Sequence, residues 1–304
     1  MESALALGIA LLLAPVLPGV ILKVKALFAG KQGPPLLIRW YTLLKLLRKG
    51  SVYSDSTSFV FRLGPVVGCA TGFMPLLFFP FAGFPPLLSF PGDIIVLLYA
   101  LGLGRFCTVL AALDTASPFE GMGAAREVFF ASLAEIGLFL ILILFYLMGG
   151  GLSLAGYFAG PQAISLAGSQ GALLLLVIVA LFLILLVENS RVPVDDPATH
   201  LELTMIHEVM ILDHSGPDLA LIEFGAHCRL LFSASLVASL LRPPAVFGPL
   251  VNGLIFAGLL VLVYATVGVT ESITARLRMN LVPKFILTSF ALVFFAIILT
   301  MELF

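Results

Sequence analysis

Four ionisable side chains stand inside long apolar runs of this chain, Arg105, Glu135, Glu223 and Arg229, and a fifth, Glu188, closes another such run. A charge held in hydrocarbon is costly and tends to mark an ion or proton path. Burial raises the pKa of a carboxyl group and a neighbouring cation lowers it again, so a group under both influences can load and release a proton near neutral pH. Two readings follow. In the first, Arg105 and Arg229 pair with Glu135 and Glu223 and simply hold helices together. In the second, these groups form part of a proton route. Two such pairs beside an acid-rich stretch favour the second. That stretch, Glu188–Asp218, holds Glu188, Asp195, Asp196, Glu202, Glu208, Asp213 and Asp218. A connection of such length without a function of its own is uncommon.

Other chemistries fail on spacing. His200, His207 and His214 recur every seven residues, but on one helix such neighbours lie about 10.5 Å apart, too far to share a metal. His207-Glu208 begins like a zinc-protease motif and lacks its second histidine. His227 sits in an apolar run, where a hydrogen-bonded core residue is the ordinary outcome. Cys69, Cys107 and Cys228 are widely spaced with no CxxC between them, so they read as inert thiols and not as cluster or zinc ligands. Gly102-Leu-Gly104 is a fragment of a dinucleotide loop, and no phosphate loop or GxSxG motif occurs. No catalytic centre and no metal site is expected on this chain.

The elements that position these residues must be membrane helices. Of 304 residues 61% are hydrophobic and only 11% charged, against about 25% charged in soluble domains. The net charge of −1 excludes a polybasic nucleic-acid binder. Segments 3–22, 63–82, 94–113, 128–148, 171–187, 218–241, 246–269 and 283–303 are each long and apolar enough to cross a bilayer. All are expected to be helices, because a lone strand would leave its backbone unpaired in lipid. The first lacks the basic leader of a signal peptide and is read as a retained span. Pro65, Pro75 and Pro80 should bend the second. The expected fold is therefore all-α, one transmembrane domain over residues 1–304.

Orientation follows the basic residues. Eight of the sixteen, from Lys23 to Arg62, fall between the first two spans, and Arg126, Arg191, Arg276, Arg278 and Lys284 fall on the same side, whereas the opposite side has only Arg242. The basic loops are expected to be cytoplasmic and both termini outside. Within the first loop, residues 34–48 place Leu36, Leu37, Trp40, Leu43, Leu44 and Leu47 at helical spacing with Arg39, Lys45 and Arg48 between them. This describes an amphipathic helix at the membrane surface, with Trp40 and Tyr41 as anchors. A surface helix with no further role and a docking site are equally consistent with that pattern. A second cytoplasmic feature is the acidic loop at about 188–217.

Several blocks, in order along most of the chain, resemble one family. They are Lys31-Gln-Gly-Pro-Pro ahead of the surface helix ending in Lys45-Leu-Leu, Gly123-Ala-Ala-Arg followed by Glu135, Glu188-Asn-Ser-Arg-Val-Pro-Val-Asp with Glu202 beyond, and Ile222-Glu223-Phe. The chain resembles the membrane subunit family that includes subunit 1 of respiratory complex I and its relatives in membrane-bound nickel–iron hydrogenases, for which eight spans is the usual number. Leu113-Asp114-Thr-Ala-Ser-Pro-Phe, Phe59-Val-Phe-Arg-Leu-Gly-Pro and Glu271-Ser-Ile-Thr-Ala-Arg-Leu-Arg are similar to the formate hydrogenlyase and hydrogenase-4 branch. Quinone-reducing members tend to carry Gln and Asp on the surface helix and an Asp after the last cytoplasmic arginines. Here Ile38, Thr42 and Asn280 stand at those places.

The resemblance implies a subunit with no redox centre of its own, in a prokaryotic inner membrane. Its implied partners are hydrogenase-like large and small subunits, iron–sulfur subunits carrying clusters and a nickel–iron centre, and antiporter-like membrane subunits. Glu135, Glu188, Asp195, Glu202 and Glu223 match the family's acidic channel, joined here by Arg105, Arg229 and the branch residue Asp114. Lys31, Lys45, Arg126, Arg191, Arg276 and Arg278 are the expected contacts to the peripheral arm. The function implied is coupling of electron transfer in that arm to H⁺ or Na⁺ movement. A quinone-binding subunit of a complex I-type NADH:quinone oxidoreductase and a stand-alone secondary transporter are the alternatives, although no internal repeat of the transporter kind is evident. A passive anchor with purely structural acids is a third.

The span assignment predicts a labelling pattern. On a background lacking the three native cysteines, a cysteine at Ser54 should react only from the cytoplasm and one at Ser165 only from outside; reaction of both from one face would refute the topology.

Overall fold

The computed structural model describes residues 2–158, 169–196, 205–242 and 248–303. His200 and Glu202 lie outside the described residues. The elements run α1 (Glu2–Leu13), α2 (Pro18–Phe28), α3 (Ile38–Leu47), α4 (Phe59–Phe78), α5 (Asp93–Asp114), α6 (Pro118–Phe145), α7 (Leu154–Phe158), α8 (Ser169–Glu188), α9 (His207–Met210), α10 (Gly216–Leu241), α11 (Pro249–Ile273) and α12 (Val282–Leu303). Among the described residues eight stretches are long and apolar enough to span a membrane, and there is no strand.

Prolines set the first irregularities. Pro15 and Pro18 lack N–H groups, and with two such residues three apart the helix breaks between Leu13 and Pro18. The first span is thus two pieces, α1 and α2, with Pro18 in the first turn of α2 where its missing donor costs nothing. At the break Val16 N–H turns back to Leu13 O, which leaves the Leu12 carbonyl without its helical donor. The Trp40 indole on α3 donates to it at 3.1 Å. The surface helix is therefore pinned to the break in the first span. α4 carries Pro65 and Pro75 internally and remains one helix, its N-terminus capped by Ser58, whose hydroxyl accepts from Val60 N–H at 3.2 Å.

α10 is the centre of the bundle: 72% of its most apolar stretch is buried, against 28% for α11 and for α12. It packs on α4, α8, α11 and α3, while α5 covers the other face of α4 and α12 packs on α8 and α6. Gly64, Gly68 and Gly72 recur every four residues along α4, the small-residue stripe by which membrane helices approach closely. At Gly72 the α10 backbone is so near that an added Cβ would lie 2.6 Å from Gly225 O.

Two expectations need correction. The first span reaches Phe28, not residue 22, because α2 extends it beyond the break. The fourth begins at Pro118, not 128. Glu120, Arg126 and Glu127 read as loop by their polarity, yet Pro118 opens a helix that continues straight into the apolar run.

Gly72→Ala is expected to push α4 from α10 and destabilise the protein by about 1–3 kcal/mol, read as a fall of several degrees in the unfolding midpoint in detergent. Gly8→Ala, where an added Cβ meets nothing within 4 Å, should leave the midpoint unchanged or slightly higher.

Candidate functional site

α8 ends where the site begins. Ser190 takes a left-handed φ of 48°, and Arg191 N–H reaches back to Leu186 O at 2.8 Å, closing the helix C-terminus in a Schellman-like turn. Glu188 is thereby fixed as the last helical residue while the chain folds back over it. Arg105, across the bundle on α5, meets this carboxylate at 2.6 Å through Nη2. Its other guanidinium nitrogens face α6: Nη1 pairs with Glu135, and Nε lies 3.7 Å from Glu127. One buried cation thus holds three carboxylates from two helices.

The far oxygen of Glu188, Oε1, is buried without a hydrogen-bond partner among the described residues. It faces a polar cavity of about 90 Å³, room for several water molecules. Glu127 and Glu188 line it together with Glu223, His227 and Arg229 of α10. His207 and Glu208 of α9 and Arg39 of α3 complete the wall. Two smaller cavities, of about 20 and 10 Å³, also touch Glu188, so this one carboxylate borders all three.

The segment between α8 and α9 is built around Asp195, which is 1% exposed. Its Oδ1 accepts from Asp196 N–H at 3.0 Å and pairs with Arg276 at 2.9 Å, and its Oδ2 accepts from Ile206 and His207 N–H at 3.2 and 3.0 Å. α9 is pressed onto α6 at Gly123, where an added Cβ would lie 3.0 Å from Ile206 O. That close approach turns His207 and Glu208 into the cavity. Burial, followed by repulsion from Glu223 and Asp195, pushes the Glu208 carboxyl up to about 7. Burial and the nearby Arg229 push the His207 imidazole down to about 4, and burial also raises the Asp195 carboxyl from its ordinary value.

The structure brings together Arg105, Glu135, Glu188, Glu223 and Arg229, with Asp195 as the anchor beside them. It does not bring Asp114 there: this carboxylate holds Ser58 and Phe61 N–H at 2.6 and 3.2 Å and so caps α4. The expected ion pair between Arg229 and Glu223 is not formed among the described residues; six residues apart on one helix they point about 120° away from each other. Of the six basic residues expected to face a partner, Lys31, Lys45 and Arg278 are exposed. Arg126, Arg191 and Arg276 instead turn inward, to Met205 O at 3.0 Å, Glu271 at 3.4 Å and Asp195. Glu127, Arg39 and Glu271 were absent from the expected site. Glu271, whose side chain is 1% exposed, also holds Lys25 at 2.9 Å. No cluster of metal-ligating side chains occurs among the described residues.

The profile of the NADH dehydrogenase family matches residues 1–302. Formate hydrogenlyase subunit 4 of Escherichia coli (strain K12) is 28% identical over 302 residues, covering 94% of this chain and 93% of its own. Hydrogenase-4 component C of the same organism is 29% identical over 242 residues, covering 77% and 73%. Among solved structures, a chain of the membrane-bound sulfane sulfur reductase, an archaeal respiratory membrane complex, superposes with a TM-score of 0.83 over 98% of both chains at 18% identity, which is a likeness of fold. With the family match running from end to end over a bundle of this architecture, the chain belongs to the NADH dehydrogenase family.

Proposed function

We propose that this chain is the ion-translocating membrane subunit of an energy-converting complex of the group 4 nickel–iron hydrogenase type, or of a hydrogenase-related complex, in which it docks a peripheral redox arm. The observation that carries this reading is the line of carboxylates from Glu223 across the cavity to Glu188, and through Arg105 to Glu135. Glu135 lies mid-span, yet its side chain is 46% exposed on the outside of the bundle. A carboxylate at that position favours a covering membrane neighbour. An antiporter-like subunit seated there would receive what the line delivers.

In this reading the redox centres, iron–sulfur clusters and any nickel–iron site, belong to partner subunits, and this chain holds none. The basic loops face the cytoplasm of a prokaryotic cell, and Lys31, Lys45 and Arg278 are the contacts offered to the arm. Coupling proceeds without quinone. Ile38 has no polar group to hold a headgroup, and the hydroxyl of Thr42 is spent on Ile38 O of its own helix at 3.0 Å. Charge or conformational change in the arm reaches the cavity through the segment between α8 and α9, and protons redistribute among Glu208, Glu223 and Glu188 through cavity water.

Glu188→Gln keeps the size of the side chain but cannot carry charge. In the complex reconstituted in vesicles it should lower coupled ion movement about tenfold or more while assembly and the electron transfer of the arm persist, and a quinone analogue should not affect turnover. Normal pumping by the assembled variant would leave the acids structural and the chain an anchor.

Glu208 gives a test by pH. Its carboxyl rises from 4.5 to about 7 on folding, so the folded state binds the proton more tightly than the unfolded one. The associated stability is full below pH 4.5 and is lost as the pH rises through 7. Glu208→Gln should therefore raise the unfolding midpoint at pH 8 relative to wild type and change it little at pH 4.5; the two midpoints measured in detergent decide this.

A further inference from the structure

α3 lies at the surface of the bundle, yet one of its side chains enters the cavity. Arg39 lines the same wall as Glu223 and Glu208, and its Nε is buried without a hydrogen-bond partner among the described residues. Its charge reaches Glu208 of α9, and Glu223 and His227 of α10 line the same cavity. The other charged and titratable groups around that space are distributed over every packed element: Glu127 on α6, Glu188 at the end of α8, Arg191 and Asp195 in the following segment, His207 on α9 and Arg229 on α10.

These groups differ in how firmly they are held. Glu127 and Glu188 share the Arg105 guanidinium, Arg191 is fixed to Glu271, and Asp195 is locked by three backbone donors and Arg276. Among the described residues Arg39 makes no ion pair. It rides on a ten-residue helix whose outer face is open: Leu44, Leu47 and Tyr41 are exposed. The helix is attached through the Trp40 indole at Leu12 O, through the Leu36 backbone against Gly19 and by its packing on α10. Arg39 is thus a cation without an ion partner among the described residues, carried on a surface helix with an open outer face and set beside carboxylates that ion pairs and backbone donors hold in place.

We infer that Arg39 is a positioning residue through which the placement of α3 sets the proton affinity of the cavity carboxylates, so that a partner pressing on or lifting this helix controls when they load. This rests on the carboxylate route proposed above and deepens it by naming the element that addresses the route. Arg39 inserted favours the ionised Glu208, and Arg39 withdrawn lets Glu208 take up a proton. Charge, not packing, is the active quantity, so a lysine should serve in place of the arginine.

The test is an infrared pH titration of the purified complex, following the carbonyl stretch of protonated carboxylic acids, with the Glu208 component identified as the part that Glu208→Gln removes. Arg39→Gln should move that component upward by about half to one pH unit, and Arg39→Lys should leave it within a few tenths of a unit of wild type. An unmoved component in Arg39→Gln, or an equal shift in Arg39→Lys, would overturn the inference. Should Arg39→Gln fail to assemble, Trp40→Phe keeps the charge and removes the hydrogen bond that pins α3. An upward shift there supports control by helix placement, and an unmoved component refutes it. The titration reads without ion movement, so its outcome stands apart from that of the Glu188→Gln transport assay.

Discussion

A guanidinium within the apolar part of a membrane protein costs roughly 2.5–3.5 kcal/mol on insertion scales, and the cost is offset only if opposite charge meets it at hydrogen-bond distance. Arg105 imposes that requirement on the bundle. Its three carboxylate neighbours come from α6 and from the end of α8, so the register of these helices against α5 is set by the need to bring acids to one cation. Three acids on one arginine also leave net negative charge. In the proposed route that excess is what lets the carboxylates beside the cavity exchange protons, which a fully matched pair would not do.

The rest of the architecture gathers this charge cluster beside one cavity. The left-handed Ser190 stops α8 immediately beyond Glu188, and Asp195 then gathers the returning chain so that α9 closes the cavity from the basic end. Arg191 and Arg276, which as sequence appear to be surface cations, act as rivets between this segment and the α11–α12 region. The frame is stiff where backbone donors and ion pairs converge on single carboxylates. At α3 the attachment is of another kind: one indole hydrogen bond, close backbone contact and packing on α10.

Most of the scaffold was legible in the sequence because hydropathy and helical spacing report directly on what must be buried. Spans, surface helix and the placing of Glu135, Glu188 and Glu223 within or at the ends of spans followed from apolar runs interrupted by charge. What was not legible depends on geometry between elements. Arg229 and Glu223 look complementary on paper but lie on different faces of α10. Asp114 looks like a membrane carboxylate but caps the N-terminus of the preceding helix, α4. Glu127 was hidden because the polar first turns of α6 resembled a loop; eight residues before Glu135, it stands within about 80° of that acid on a continuous helix, a signal available once Pro118 is recognised as a helix start. Arg39 could not be assigned from amphipathic pattern alone, since the same spacing describes a residue facing water.

The ion pair of Lys25 with Glu271 joins residues 246 positions apart. Membrane chains insert segment by segment from the N-terminus, so the first span reaches the bilayer long before the seventh has been synthesised. Until α11 arrives, α2 lacks both the helix it packs against and the counter-charge for its lysine. A span made well before α11 is therefore among the last of these helices to find its final neighbours, and the five spans between them are translated before that side of the bundle can close.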